Sequence, residues 1–133
     1  MSQQAGVEPK LCSLVPYLFY DDVEKMLEWY ARVFGFVEIK RWMKDGRIEN
    51  AEMAVGDTEL WLDGGGPRYL DKDGQPARGW IGVWVDDPDA MHQRVTEAGI
   101  AADPPDDKPY GVRMLTVKDP EGYSWGFMRR LHG

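Results

Sequence analysis

A single cysteine, Cys12, and two histidines, His92 and His132, leave this chain with few soft donor atoms. One thiol forms neither an internal disulfide nor a thiolate metal cluster, and the expected role of Cys12 is that of a small buried apolar side chain. Positive charge is also scarce: 16 Lys and Arg stand against 23 Asp and Glu, a net charge of −7. That balance argues against nucleic acid or an anionic membrane as a partner, since both ask for a basic face and the chain has no basic run. No apolar run approaches the roughly 20 residues a bilayer span requires, and Met1 to Lys10 lacks the apolar segment of a secretory leader. A cytoplasmic location is therefore the expectation. No nucleophile stands beside a base, and Gly64-Gly65-Gly66 has neither the strand-to-helix context nor the Lys-Ser/Thr ending of a phosphate loop.

What the chain does have is aromatic surface. Six Trp, six Tyr and four Phe in 133 residues call for a heavy core or a lined pocket. The length suits one domain, residues 1–133, with 43% apolar and 29% charged residues, a globular composition.

The organising feature is a repeat. An apolar strand ends in Asp-Asp, a helix follows and closes on Gly, and another strand begins. It runs from Tyr17 through Asp21-Asp22 to Gly35-Phe36, and again from Gly82 through Asp86-Asp87 to Gly99-Ile100, about 65 positions later. In the first copy Leu11–Tyr20 reads as a strand bent at Pro16. Asp21 or Asp22 caps a helix with Val23, Met26, Leu27, Tyr30, Val33 and Phe34 on one face, and Gly35 ends it. Strands follow at 36–43, 47–55 and 58–62, joined by turns at Lys44-Asp45-Gly46 and Gly56-Asp57. Residues 63–78 hold five Gly or Pro in their first twelve positions and form a linker loop. The second copy has a strand at 79–85 and a helix capped by Asp87 with Pro88 at its first position and Met91, Val95 and Ala98 inward. A short strand at 100–103, a loop at 104–111, and a hairpin of 112–118 with 123–130 complete it.

These features resemble the vicinal oxygen chelate superfamily of glyoxalases, bleomycin-resistance proteins and extradiol dioxygenases. The resemblance rests on the Asp-Asp-helix-Gly-Phe opening, Ala51-Glu52-Met53 before Gly56-Asp57, Lys108-Pro109-Tyr110-Gly111, and Asp119-Pro120-Glu121-Gly122-Tyr123-Ser124-Trp125. It implies an α+β fold: two tandem βαβββ units, residues 11–62 and 79–130, forming an open, eight-stranded, barrel-like sheet with a concave cavity. It also implies a divalent metal held by His, Gln or Glu side chains from the first and fourth strands of both units. Those places carry Val15 or Pro16, Trp61, Trp80 and Gly126 here, none of which offers an imidazole, carboxylate or thiolate. The expectation is a chain with no metal and no cofactor. His92, off the apolar stripe of its helix, is expected on a solvated surface, and His132 near the frayed end. Glu52 and Glu59 alone would make a weak site for a transition metal.

With those places fixing the inward face, strand alternation turns Val15, Tyr17, Phe19, Glu59, Trp61, Trp80, Gly82, Trp84, Ser124, Gly126 and Met128 toward the cavity. Trp125 becomes a core residue. The ligand-binding candidates are Tyr17, Phe19, Asn50, Trp61, Trp80, Trp84, Tyr110 and Arg113, with Arg68 and Tyr69 as a cover. Glu59, Glu52 and Arg113 are the candidates for proton transfer or electrophilic help. Arg113 has a competing reading as a surface ion pair. The preferred reading is a homodimer that binds a small aromatic or amphipathic molecule without metal, a sequestration-type role, with stacking favouring a planar guest and Glu59 a cationic one. The alternatives are a divergent metal-dependent lyase, isomerase or dioxygenase of the same superfamily, and a ligand-free structural module whose rings fill the cavity.

Overall fold

The computed structural model describes residues 8–65, 70–75 and 78–132. Its strands divide into two four-stranded sheets. The first contains β1 (Tyr17–Phe19), β2 (Val37–Lys44), β3 (Arg47–Val55) and β4 (Thr58–Asp63) in the order β1-β4-β3-β2. The second contains β5 (Gly79–Trp84), β6 (Asp106–Asp107), β7 (Val112–Lys118) and β8 (Tyr123–Arg130) in the order β5-β8-β7-β6. Each sheet has one parallel pair, β1 with β4 and β5 with β8, and is otherwise antiparallel. Two tandem βαβββ units result, with the sheets separate and not closed into a barrel.

Helix α1 (Val23–Trp29) starts where the Asp22 side chain accepts from the Lys25 N–H at 3.0 Å, and α2 (Pro88–Glu97) starts where Asp87 accepts from Ala90 at 3.0 Å. After Trp29, α1 continues as a π-helical turn, Tyr30–Phe34, and stops at Gly35, whose φ of 79° is left-handed. The Tyr30–Phe34 turn packs against α2, and Arg94 donates to the Val33 and Ala31 carbonyls. The predicted apolar stripe of α1 is wholly buried.

The helix-facing sides of both sheets share one core. Ile48, Ala51, Met53, Leu60 and Leu62 from the first unit join Leu115, Val117, Tyr123, Trp125 and Phe127 from the second. Phe36 and Trp125 meet Tyr30, Phe34 and each other edge-on or tilted, with centroids 5.3–5.6 Å apart, while Tyr30 and Phe34 stack at 5.7 Å. The opposite sides of the sheets remain open, so a single chain does not enclose the expected cavity.

Several expectations are corrected. The first strand is three residues, not ten, because Pro16 has no N–H to donate; only its carbonyl is used, by the Trp61 N–H at 3.0 Å. Cys12 is exposed in the irregular segment before it. The short strand of the second unit falls at Asp106–Asp107 and not at 100–103, since its pairing to Met114 and Arg113 sets its place after Pro104 and Pro105. His92 is half-buried, its Nε2 2.9 Å from the Ala102 carbonyl oxygen, which ties α2 to the segment after it.

Candidate functional site

Register determines which side chains meet on the open face of the first sheet. One cross-sheet row reads Tyr17, Trp61, Glu52, Lys40; the next reads Phe19, Asp63, Asn50, Trp42. Between Trp42 and Met43 the β2–β3 register slips by one, leaving Glu49 as the extra residue of a bulge. The slip sends Ile48 into the core, 9% exposed, whereas unbroken alternation puts it beside Asn50 and Glu52. It also brings Glu49 to the rim of a cavity of about 250 Å³ lined by Tyr17, Trp42, Glu49, Asn50, Ala51, Glu52, Trp61 and Leu62.

Polar groups on this face are partly paired. The Tyr17 hydroxyl donates to Asp63 at 2.7 Å, and that bond raises its pKa above the ordinary phenol value. The Trp61 indole N–H donates to Glu59 at 2.8 Å, so Glu59 serves its neighbour. Tyr17 stacks on Phe19 and meets Trp61 edge-on, both at 5.9 Å. Asn50 Oδ1 is buried with no hydrogen-bond partner.

On the second sheet Trp80 lies flat. Gly82 and Gly126 are cross-strand partners, and a Cβ on Gly126 would fall 2.3 Å from Cζ2 of Trp80, one on Gly82 3.1 Å from its Cη2. The indole therefore spans the bare backbone of both glycines, close to the Met114 and Met128 side chains. Half of Trp80 remains exposed, 52%. Trp84, four residues on, carries the Arg130 guanidinium 4.3 Å from its ring centroid, so one of its faces is taken.

Tyr17, Asn50, Glu52 and Trp61 are thus brought together, with Phe19 and Glu59 adjoining; Trp80 and Trp84 sit on the other sheet. Arg113 does not join them. It projects from the helix-facing side of β7 and forms a fork with Asp89 at 2.8 and 2.9 Å and a bond to Asp107 at 3.0 Å, which hold its pKa above the ordinary value. Tyr110 is exposed in the loop after β6. Arg68 and Tyr69 lie outside the described residues. Trp42 and Glu49 join the site beyond the expected residues; alternation from Lys40 along β2 places Trp42 on this face, whereas the bulge at Glu49 carries no composition signal.

The places where the fold would seat a metal do not fit one. Trp61 and Trp80 present indoles, the Trp61 N–H is spent on Glu59, and Gly126 is covered by the Trp80 ring. Among the described residues no three His, Cys, Asp or Glu side chains gather as a metal site.

Paired βαβββ units define a class of protein, and the relatives of this chain share them. Residues 12–127 match the model of the glyoxalase/bleomycin resistance protein/dioxygenase superfamily, and the chain belongs to that family. It is 34% identical to TioX from Micromonospora sp. ML1, whose crystal structure superposes with a TM-score of 0.75 over 90% of this chain and 99% of that one. An uncharacterised protein of Mycobacterium bovis is 29% identical over 130 residues, 90% of this chain and 82% of its own length. The bleomycin resistance determinant encoded on transposon Tn5 shares the fold, with a TM-score of 0.71 over 90% of this chain and 98% of that one at 18% identity.

Proposed function

We propose that this protein binds a small planar organic molecule on its open aromatic faces without a metal, and holds it rather than transforming it, as a cytoplasmic homodimer. The observation that carries the reading is the Trp80 indole laid flat over Gly82 and Gly126, half exposed. A flat, accessible ring stacks on a planar guest, and each such pairing adds about 0.5–1.5 kcal/mol beyond burial of area. Tyr17, Phe19 and Trp61 supply further rings on the other sheet.

Absence of a resident metal is supported by the chemistry of Trp61, Trp80 and Gly126 at the places the family uses for ligands. Binding without turnover is supported by the pairing of two of the three candidate groups: Glu59 accepts from Trp61, and Arg113 is held by two aspartates. Association into a homodimer is supported by exposed apolar side chains on both open faces, Val15, Tyr17, Phe19, Trp80 and Trp84 each at 37% or more.

Calorimetric titration with a panel of planar aromatic compounds, 1-naphthalenemethanol and acridine among them, tests the reading. The expected result is saturable binding by at least one compound, insensitive to a chelator and weakened at least fivefold by Trp80→Ala. Turnover dependent on an added divalent ion would overturn it.

A further inference from the structure

The cavity on the first sheet differs in character from the Trp80 platform. Its volume, about 250 Å³, is below that of pockets that enclose a whole drug-sized molecule, so it suits one end of a ligand. Its rings are Tyr17, Trp42 and Trp61, and its polar groups are mostly acceptors. The donors of Tyr17 and Trp61 are consumed by Asp63 and Glu59. The Trp42 indole N–H is the other side-chain donor on the lining apart from the Asn50 amide.

Three acceptors are left. Glu52 lies opposite Lys40 in the β2–β3 register, yet the Lys40 ammonium stands 5.3 Å over the Trp42 ring, and Glu52 has no ion pair or hydrogen bond among the described residues. Glu49 has only a 3.8 Å approach to Lys44, with both side chains more than half exposed, which contributes little. The third is Asn50 Oδ1, buried and unpartnered. Such an oxygen is destabilising until a donor reaches it. The side chain opposite it is Trp42, on an edge strand and 41% exposed, so its indole is free to turn aside.

We propose that this cavity receives the protonated amine of the ligand. Glu52 and Glu49 supply the countercharge, Asn50 Oδ1 takes one N–H, and the Tyr17 and Trp61 rings flank the cation. This inference rests on the reading of the open faces as a small-molecule site, and adds that the guest is an N–H-bearing cation.

Three matched probes test it: 1-naphthylmethylamine, the neutral 1-naphthalenemethanol, and the quaternary (1-naphthylmethyl)trimethylammonium, titrated calorimetrically at low salt. The amine is expected to bind at least tenfold tighter than the alcohol and at least threefold tighter than the quaternary ion. Glu52→Gln should reduce the first ratio below threefold, and Asn50→Leu should abolish the second while leaving the fold intact by circular dichroism. Equal affinity for amine and alcohol would overturn the inference and leave the small-molecule reading standing. An amine preference unchanged in a Glu49→Gln/Glu52→Gln double variant would also overturn it, since the charge would then be read elsewhere. Absence of binding by all three probes, and by the wider panel, would overturn both.

Discussion

Gly126 shows what one absent side chain does. Its φ is not left-handed, so glycine is required there for space and not for backbone conformation: the Trp80 ring occupies the volume of a Cβ. Gly126→Ala should therefore push the indole off the sheet. Because Trp80 is half exposed and can swing outward, stability should fall by about 1 kcal/mol, the low end of overpacking costs. Near-ultraviolet circular dichroism should change, and affinity for a planar ligand should drop at least fivefold. Asp119 is the opposite case, a buried carboxylate whose work is structural. It accepts from the Tyr30 hydroxyl at 2.5 Å, the Trp125 indole at 2.9 Å, and the backbone N–H groups of Glu121 and Tyr123. Tyr20 is hydrogen-bonded to Tyr30 at 2.8 Å, and burial above all pushes both phenols well above their ordinary value. A phenol whose folded pKa is raised contributes stability that is complete below the unfolded value, near 10, and is lost as pH rises beyond it. An alkaline titration followed at 295 nm should find that these two of the six tyrosines ionise only as the chain unfolds.

At the scale of elements, the Asp119-to-Trp125 segment acts as a clasp between the units. Both oxygens of Glu121 accept from the first backbone N–H groups ahead of α1, those of Asp21 and Asp22, each at 2.7 Å. Arg78, at the end of the linker, meets Glu121 at 3.2 Å and Asp21 at 2.9 Å and donates to the Phe19 carbonyl. The Arg78 and Glu121 side chains are only 3% and 7% exposed, so the pair is shielded from solvent. Glu121→Ala would leave a buried guanidinium and two orphaned N–H groups, and chemical denaturation should register a loss of about 3 kcal/mol or more. Arg78→Ala in that background should restore part of it. This clasp was not legible in the sequence, because Asp-Pro-Glu-Gly reads as a turn and nothing local says that its glutamate reaches another unit. The hairpin it closes was legible: Val112–Lys118 and Tyr123–Arg130 fall where alternation and turn residues place them. So was the buried stripe of α1. The π-helical turn, the short β1 and the Glu49 bulge were not, since each depends on pairing or packing with distant partners. For the site, the placing of Tyr17, Trp61, Trp80 and Trp84 on the open faces could be read from period two, but that one chain leaves those faces unclosed could not.

For the whole molecule, the helix-facing sides of the sheets are spent on one shared core, and the aromatic sides are left for something else. A second copy of the chain would cover much of that exposed surface and set the two kinds of sheet against one another. Sedimentation equilibrium should give about twice the mass of 15.2 kDa at micromolar concentration, and Trp84→Glu should shift the distribution toward the monomer. A monomer throughout would confine the site to faces open to solvent. The central claim, that rings and bare backbone replace metal donors in holding the guest, is tested most directly by one calorimetric series. The protein is titrated with 1-naphthylmethylamine before and after exhaustive chelation, and the Gly126→Ala variant is titrated alongside. The account predicts one saturable isotherm, unchanged by chelation and at least fivefold weaker in the variant. Binding that vanishes with the chelator and returns with a divalent ion would contradict it.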